Sequence, residues 1–258
     1  MFLCHKKAES VLMSREILEN QLKAWNNKPA LRALYEQWFS EIKHNLTAGI
    51  SVEIGCGTGR LKEHIPDVVT VDIVELSWTD MVCDAHELPF RSGSIGNLIL
   101  FDVLHHLSMP MMFFSEASKV LRPGGRMIIM EPYISPVSWL IYKFFHPEPI
   151  WMKCNPLDFG MVRSSNRPFD SNQAIPTLIF FKFLKQWKER FPEFAVKTRK
   201  KLALIAYPAT GGFGGRQLLS DRLIILTHSM EKYLGFSAFF TAFRVFIVIE
   251  KDYAWNRE

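Results

Sequence analysis

Three glycines at alternate positions form the part of the sequence best suited to bind a ligand. Gly55, Gly57 and Gly59 lie between Val52 and Arg60, directly after an apolar run and before a stretch able to form a helix. Glycine has no side chain to obstruct a ligand, and it accepts positive φ angles that other residues avoid. We therefore expect this loop to bring its backbone close to a bound molecule.

The spacing of these glycines narrows the class of ligand. Dinucleotide-binding loops carry Gly-x-Gly-x-x-Gly and hold a pyrophosphate at a helix N-terminus, whereas this loop contains Gly-x-Gly-x-Gly. Glu53, two residues before the first glycine, would repel a diphosphate. The same carboxylate would attract the ammonium and sulfonium groups of S-adenosylmethionine (SAM), which the loop therefore favours.

Two more carboxylates follow in the order that such a ligand requires. Asp72 ends the second apolar run, where it can accept hydrogen bonds from both hydroxyls of a ribose. Asp84 and Ala85 come next, where an acceptor can meet the amino group of an adenine. Either aspartate alone could simply end a strand or cap a helix, but their placement after successive strands favours ligand binding.

Short apolar runs alternate with helix-forming stretches through the first half of the chain. Near-continuous runs of this kind are typical of strands buried on both faces, and the strand–helix alternation predicts a doubly wound parallel sheet. The predicted strands are Ile50–Ile54, Val68–Ile73, Asn97–Phe101 and Met127–Met130, and the predicted helices between them are Arg60–Ile65 and Pro110–Leu121.

The flanking regions have different patterns. Glu9–His44 predicts two helices broken near Asn26–Pro29, and Tyr133–Arg167, with several prolines and aromatics but few helix or strand signals, is interpreted as an inserted cap over the active site. Further elements are predicted at Phe194–Thr198 (strand), Leu218–Tyr233 (helix) and Phe243–Glu250 (strand). We expect four parts: an N-terminal helical extension at 1–47, a core at 48–132, a cap with an amphipathic helix at 133–192, and a C-terminal completion of the sheet at 193–258.

From Ile50 to Pro132 the sequence resembles the class I SAM-dependent methyltransferases, particularly those of quinone biosynthesis and small-molecule methylation. Five motifs carry the resemblance: the glycine loop, Asp72, Asp84-Ala85 with Leu-Pro-Phe following, Val103-Leu104-His105-His106-Leu107, and Leu121-Arg122-Pro123-Gly124-Gly125-Arg126. The resemblance implies a Rossmann-like, doubly wound sheet of seven strands, of which the last is antiparallel.

The resemblance also implies a set of binding residues. Methionine would lie at the glycine loop, ribose at Asp72, and adenine beside Ile73, Asp84 and Ala85, with the segment from Phe101 to His106 beside the transferable methyl. The SAM-binding residues are then Glu53, Gly55, Cys56, Gly57, Gly59, Asp72, Ile73, Asp84, Ala85 and Phe101. The chain departs from the family at Gly96-Asn97, where Phe-Asp is usual.

His105 and His106 are the candidate catalytic residues. An imidazole titrates near neutrality and can take a proton from an acceptor hydroxyl, although both side chains could instead stabilise the loop after the fourth strand. No metal site is expected, because the four cysteines show no ligand spacing with each other or with histidine.

Three features bear on the acceptor. Aromatics and lysines alternate at helical spacing from Phe180 to Phe191, which fits either a helix at a membrane surface or an amphipathic helix packed on the sheet. The aromatic-rich cap favours an apolar or lipid-linked acceptor, and the acceptor is expected to be a small molecule or a lipid-linked or glycan-linked group. Residues from Tyr207 to Gly215 form a second glycine-rich element, interpreted as a mobile lid.

Composition excludes few function classes. The net charge of +5 is mild, so nucleic acid is not the expected partner, and the charged N-terminus lacks the apolar region of a signal peptide. We expect a cytoplasmic enzyme with peripheral contact at the inner membrane face, which methylates oxygen. An RNA methyltransferase and a SAM-binding accessory protein with a decayed site are the alternatives, and the oligomeric state is open.

Overall fold

The described chain is built on one mixed sheet of seven strands. The structure is a computed structural model that describes residues 16–158 and 171–253. The strands are β1 (Ile50–Ile54), β2 (Val69–Asp72), β3 (Met81–Val82), β4 (Ile95–Phe101), β5 (Leu121–Pro132), β6 (Phe194–Leu202) and β7 (Arg244–Lys251), in the spatial order β3-β2-β1-β4-β5-β7-β6.

Strand direction brings the predicted binding residues to one edge. β1 to β5 pair in parallel, so their carboxyl ends meet there, whereas β7 runs antiparallel between β5 and β6. This confirms the predicted Rossmann-like sheet with an antiparallel last strand. The strand Met81–Val82 was not predicted, because two residues are too short to give an apolar pattern.

Helices cover both faces of the sheet. They are α1 (residues 16–27), α2 (Pro29–His44), α3 (Pro110–Val120), α4 (Pro136–Phe145), α5 (Ile175–Thr177), α6 (Leu184–Arg190), α7 (Ala206–Ala209), α8 (Asp221–Glu231) and α9 (Ala238–Thr241). Leu178–Lys182 forms a π-helix, and single 3-10 turns lie at Arg60–Glu63, Leu104–His106 and Gly235–Ser237. Pro29 begins α2, as the predicted break requires, while residues 9–15 of that prediction lie outside the described residues.

Two hydrophobic clusters fill the space between the helices and the sheet. On β4, Leu98 and Leu100 belong to the cluster under α3, whereas Ile99 belongs to the cluster under α2. Successive strand residues point to opposite faces, so this alternation shows that the sheet is buried on both sides. The near-continuous apolar runs of the sequence follow from that double burial.

The segment from Phe180 to Phe191 packs on the sheet. Phe180 and Trp187 are fully buried, while Lys185 and Lys188 are exposed. The packed amphipathic interpretation is therefore confirmed, and the interpretation of this helix as a membrane-surface helix is wrong. The aromatic residues of the pattern are core residues.

The prediction that Tyr133–Arg167 has little regular structure is wrong for α4. Ser135 Oγ accepts a hydrogen bond from Ser138 N at 3.1 Å, and Ser138 Oγ accepts one from Ser135 N at 2.7 Å, which forms a capping box. Pro136 occupies the first turn, where its missing N–H costs nothing. Residues 159–167 of the predicted cap lie outside the described residues. No helix in the described ranges is long and apolar enough to span a bilayer.

Candidate functional site

The glycine loop leaves the carboxyl end of β1 and passes close to two bulky side chains. Gly55 and Gly59 have φ of +67° and +69°. A Cβ added to Gly55 would lie 2.6 Å from Val103 Cγ2, and one added to Gly59 would lie 2.5 Å from Trp78 Cδ1. Trp78 Nε1 also donates to the Gly57 carbonyl at 2.9 Å. The loop therefore needs glycine for its conformation and for packing.

Asp72 ends β2 beside this loop. Its Oδ2 accepts a hydrogen bond from Gly57 N at 3.0 Å, and its Oδ1 accepts one from Val74 N at 3.0 Å. Burial raises the pKa of this carboxyl, against the lowering effect of the backbone N–H groups. Asp72 thus fixes the relative position of the glycine loop and β2. Ile73, the next residue, is exposed.

Asp84 and Ala85 follow β3 at the same edge of the sheet. β3 pairs with β2 through Val71 and Met81, so Asp84 lies on the neighbouring strand end to Asp72. Asp84 Oδ1 accepts a hydrogen bond from His86 N at 2.9 Å and lies 2.6 Å from His86 Nδ1. This turn holds the Asp84 side chain at the edge.

Glu53 is a buried carboxylate with one oxygen unsatisfied. Among the described residues its Oε2 has no hydrogen-bond partner, although the side chain is buried in β1. Burial, with a further contribution from Asp72, raises the pKa of Glu53 well above its usual value. Such a group is costly unless a ligand donates to it.

Cys56 lies in the glycine loop and is buried. Its Sγ lies 3.6 Å from Thr79 Oγ1. Burial and the nearby Asp72 charge raise the pKa of the thiol to about 12. Cys56 is therefore held as a neutral thiol that packs against the loop rather than as a nucleophile.

An ion pair between the half-buried Asp102 and the buried Arg244 closes the carboxyl end of β4. Asp102 has a φ of +58°, which is unusual for a residue other than glycine, and its Oδ1 lies 2.7 Å from Arg244 Nη2. The ring of Phe101 stacks on Tyr35 at a centroid distance of 5.1 Å. The Arg244 guanidinium lies 5.4 Å from the centre of Phe101. An aromatic wall and a fixed charge pair thus adjoin the end of β4.

His105 is held between two carboxylates. Its Nδ1 lies 2.5 Å from Glu131 Oε2, and its Nε2 lies 3.3 Å from Glu148 Oε2. Burial alone would lower the pKa of His105, but Glu131 and Glu148 outweigh it and raise the pKa to about 10. The imidazole is therefore protonated at neutral pH with both nitrogens engaged. The hypothesis that His105 is a general base disagrees with this geometry.

His106 has a more open position than His105. Its Nε2 lies 4.0 Å from Glu148 Oε1, and its ring centre lies 4.2 Å from that of His105. The donor atoms of His105, His106 and Glu148 are close enough to share a metal ion, as are those of Asp102, His105 and Glu131. The ion pairs already described account for both groups.

Comparison with known proteins identifies the part of the chain that carries these residues. Residues 52–129 match the family model described as a methyltransferase domain. This segment is a class I SAM-dependent methyltransferase domain. The matched residues include the glycine loop, Asp72, Asp84 and the histidine pair, which lie at the carboxyl edge of the sheet.

Curated relatives of the methyltransferase domain differ in what their names say they act on. The chain is 33% identical over 122 residues to the human protein named "Probable tRNA methyltransferase 9B", which covers 42% of this chain and 25% of that protein. It is 26% identical over 195 residues to the malonyl-[acyl-carrier protein] O-methyltransferase of Hahella chejuensis, covering 66% of this chain and 62% of that protein. The chain thus spans about a quarter of the human relative.

A solved structure shows the same fold. The SAM-dependent methyltransferase from Archaeoglobus fulgidus aligns with a TM-score of 0.50 at 14% identity, covering 90% of this chain and 98% of that one. At this identity the likeness concerns the fold alone.

The residues at the edge of the methyltransferase domain fit SAM. Glu53 offers an unpartnered buried oxygen to a cationic group, and the edge carries Asp72 and Asp84 at neighbouring strand ends. A cavity of about 570 Å³ lies between α1 and the loop after β2, lined by Leu18, Glu19, Leu22, Glu75, Leu76, Ser77 and Trp78. Trp78, which also contacts the glycine loop, forms part of the wall of this cavity.

Several residues of this site were not predicted from the sequence. Asp102, Glu131, Glu148 and Arg244 meet at one edge although four separate segments supply them. The only available signal was position: Asp102 and Glu131 stand at the ends of adjacent apolar runs. Trp78 had no signal, since its role depends on the conformation of the glycine loop.

Gly96-Asn97, the departure from the family pattern, has a structural explanation. Asn97 Oδ1 accepts from Thr47 N at 2.8 Å, and its Nδ2 donates to Thr47 O at 2.8 Å and to Ser51 Oγ at 3.0 Å. A Cβ on Gly96 would lie 2.5 Å from the Ala48 carbonyl oxygen. This pair anchors the loop before β1, and its role is structural. It gives no support to a decayed site.

Proposed function

We propose that this chain transfers the methyl group of SAM to an apolar, lipid-linked or glycan-linked acceptor, through an oxygen atom. The observation that carries the proposal is Glu53, whose unpartnered carboxylate oxygen lies in β1 beside the glycine loop. A cationic ligand would satisfy that oxygen, and no residue in the described ranges does so. The neighbouring Asp72 and Asp84 supply acceptors for ribose and adenine.

In this proposal, residues at neighbouring strand ends each bind a different part of the SAM molecule. Glu53 and the loop containing Gly55, Cys56, Gly57 and Gly59 would bind the methionine part, and Asp72 the ribose hydroxyls. Ile73, Asp84 and Ala85 would lie against the adenine, and Phe101 beside the reactive centre. Support comes from their common position at the carboxyl ends of β1 to β4.

The acceptor would lie against the aromatic wall at the end of β4. Tyr35 contacts both Phe101 and Phe213, with ring centroids 5.1 Å and 5.2 Å apart, so α2 and the second glycine-rich element both contribute. Aromatic surface of this kind favours an apolar group over a small polar one. The half-buried rings of Phe101 and Phe213, which pack on the buried Tyr35, support the proposed acceptor class.

The main contribution of the protein to methyl transfer would be to align the acceptor oxygen with the methyl group. SAM, when bound, supplies a methyl group on an electrophilic sulfonium. The protein would hold an acceptor oxygen in line with the carbon–sulfur bond, so that the new oxygen–carbon bond forms as the old bond breaks and its electron pair stays on sulfur. The hydroxyl proton must leave, and His106 is the proposed base. His105 would position the loop that carries His106.

His106→Ala tests the proposed base. We expect kcat to fall by about 100-fold, because proton removal would pass to water. SAM affinity should not change. His44→Ala, at an exposed position of α2, is the matched control. A variant with the wild-type kcat would remove His106 from the mechanism.

The experiment that tests the function is transfer of radiolabelled methyl. The full chain is incubated with methyl-labelled SAM and fractionated lipid, glycan, small-molecule and RNA extracts. Label in a lipid or glycan fraction that resists the mild base that cleaves methyl esters, but is released as methyl iodide by hydriodic acid, supports an ether oxygen as the attacking atom. Label in no fraction, from a folded protein that binds SAM, would favour the accessory-protein alternative.

An RNA acceptor is the second candidate, favoured by the human relative whose name refers to tRNA. The net charge of +5 is compatible with it. Label in the RNA fraction, together with binding to RNA that weakens steeply with salt, would establish this candidate over the first.

A further inference from the structure

Helix α4 exposes most of its large apolar side chains. Ser138 and Tyr142, one turn apart, are its buried residues, and Tyr142 Oη donates to the Phe243 carbonyl at 2.9 Å. The apolar side chains Leu140, Phe144 and Phe145 are instead exposed, by 49%, 67% and 80%. A helix of a soluble domain normally buries its apolar side. This helix presents that side to the surroundings.

The neighbouring segment at residues 235–241 also exposes its large apolar side chains. Ala238 is buried, while Phe236, Phe239 and Phe240 are exposed by 84%, 59% and 58%. The two segments are in contact through α4 and α9. We call their exposed side chains the apolar face: Val137, Leu140, Ile141, Phe144, Phe145, Phe236, Phe239 and Phe240. A continuous apolar surface of this kind marks an interaction site.

The segments that form and adjoin the apolar face carry cationic but no acidic residues, and the carboxylates that flank α4 in the sequence, Glu131 and Glu148, contact His105. Residues 132–147, 194–220 and 232–249 contain no aspartate or glutamate. Lys143 Nζ lies 4.5 Å from the ring centre of Trp139, and Lys201 Nζ lies 4.8 Å from that of Phe239. Lysines that lie along aromatic rings at the rim of an apolar surface are suited to the headgroup level of a membrane.

We infer that the apolar face inserts into the surface of a membrane containing anionic lipids. The exposed phenylalanines would enter the boundary of the acyl chains, and the lysines would pair with lipid phosphates and carboxylates. A second copy of the chain fits less well, because two cationic rims would then meet. We place the membrane contact here rather than at Phe180–Phe191, because the aromatic side chains of that segment are buried or half-buried.

The position of the face links it to the proposed function. α4 lies between Glu131 and Glu148, which both contact His105. Membrane contact at α4 would therefore place the acceptor side of the site next to the lipid. This link rests on the proposed methyl transfer, whereas membrane binding itself is measured without SAM.

Vesicle flotation of the full chain tests the inference. The probes are vesicles of phosphatidylcholine and phosphatidylglycerol in equal parts, compared with phosphatidylcholine alone. We expect flotation with the mixed vesicles and a decrease at high salt. The double variant Phe144→Ser, Phe145→Ser should lose at least about tenfold in partitioning. Lys143→Glu should lose about fivefold or more, because one lysine near an anionic surface contributes about 1 kcal/mol.

Met112→Ser is the matched control, since Met112 is 40% exposed but lies on α3. It should float like the wild type. Each variant is also titrated with SAM, so that loss of folding or of the binding edge is separated from loss of membrane contact. Equal flotation of wild type and the double variant would overturn the inference. A wild-type dimer that the double variant turns into a monomer would overturn it in favour of a second copy.

Discussion

Two buried titratable groups in this domain, His105 and Glu53, are stabilised in different ways. His105 is paired on both nitrogens by Glu131 and Glu148, so its charge is internal to the fold. Glu53 keeps one oxygen without a partner among the described residues. The first arrangement stabilises the protein without a ligand, while the second is stabilised only when a ligand binds.

His105→Gln tests the internal charge. The raised pKa means that the protonated imidazole contributes its full stability below the unfolded-state pKa of about 6.5. That contribution is lost as pH rises through the folded-state pKa of about 10. We therefore expect the variant to lose about 3 kcal/mol of unfolding free energy at pH 6, and less as pH rises from about 6.5 towards 10. Urea denaturation at several pH values measures it.

The control for His105 is His44→Gln, at an exposed position. It should change the unfolding free energy by less than about 0.5 kcal/mol at every pH. A deficit for His105→Gln that stays constant with pH would show that packing, rather than charge, explains its effect.

At the same residue scale, the sequence indicated single anchors but not their partners. The positions of Asp72 and Asp84 at the carboxyl edge were predictable, because Asp72 ends an apolar run and Asp84 lies in a recognisable motif. The pairing of Asp102 with Arg244 was not predictable, because the two residues lie 142 positions apart in the sequence. A general-base role for His105 was inferred from residue type, because the sequence does not show its two carboxylate neighbours, which favour a protonated imidazole.

At the scale of elements, hydrogen bonds from Lys28 hold the second glycine-rich loop, Tyr207 to Gly215, in place. Lys28 Nζ donates to the carbonyl oxygens of Gly212 and Gly215 at 2.6 Å and of Thr210 at 3.2 Å. Burial lowers the pKa of Lys28. These carbonyls would otherwise point at one another, so the lysine organises the loop. A lid at this place would have to break these bonds.

Lys28→Met tests that organisation. Removing the three hydrogen bonds should raise amide hydrogen exchange in residues 209–216 by about tenfold or more, because the loop opens more often. Hydrogen–deuterium exchange with mass spectrometry measures it. Lys23→Met, at an exposed position of α1, is the control. Unchanged exchange in the Lys28 variant would show that packing of Phe213 alone fixes the loop.

Elements with a strong apolar pattern were predictable, and those defined by capping or by contacts were not. β1 and α3 were predicted within one residue at each end, since burial on both faces or on one stripe gives a clear pattern. α4 was missed because its exposed side is apolar and its buried side is polar. A helix whose apolar side faces outward does not show the periodic pattern expected for a helix that packs its apolar side on the core.

On the scale of the whole molecule, the two faces of the sheet and its carboxyl edge have separate tasks. The faces hold the two hydrophobic clusters, and the edge gathers Glu53, Asp72, Asp84 and the histidine pair. Parallel strands make this gathering unavoidable, because all their carboxyl ends lie on one side. The apolar face adds a surface beside that edge, which the sequence pattern did not predict.

The most direct test of the account is calorimetric titration of the full chain with SAM, comparing wild type with Asp72→Ala and Asp67→Ala. Asp67 is an exposed residue before β2 and serves as the matched control. We predict that Asp72→Ala weakens SAM binding by about 100-fold or more, because charge-assisted hydrogen bonds to the ribose are lost, while Asp67→Ala binds like the wild type. A folded Asp72→Ala protein with the affinity of the wild type would contradict the assignment of this edge as the SAM site.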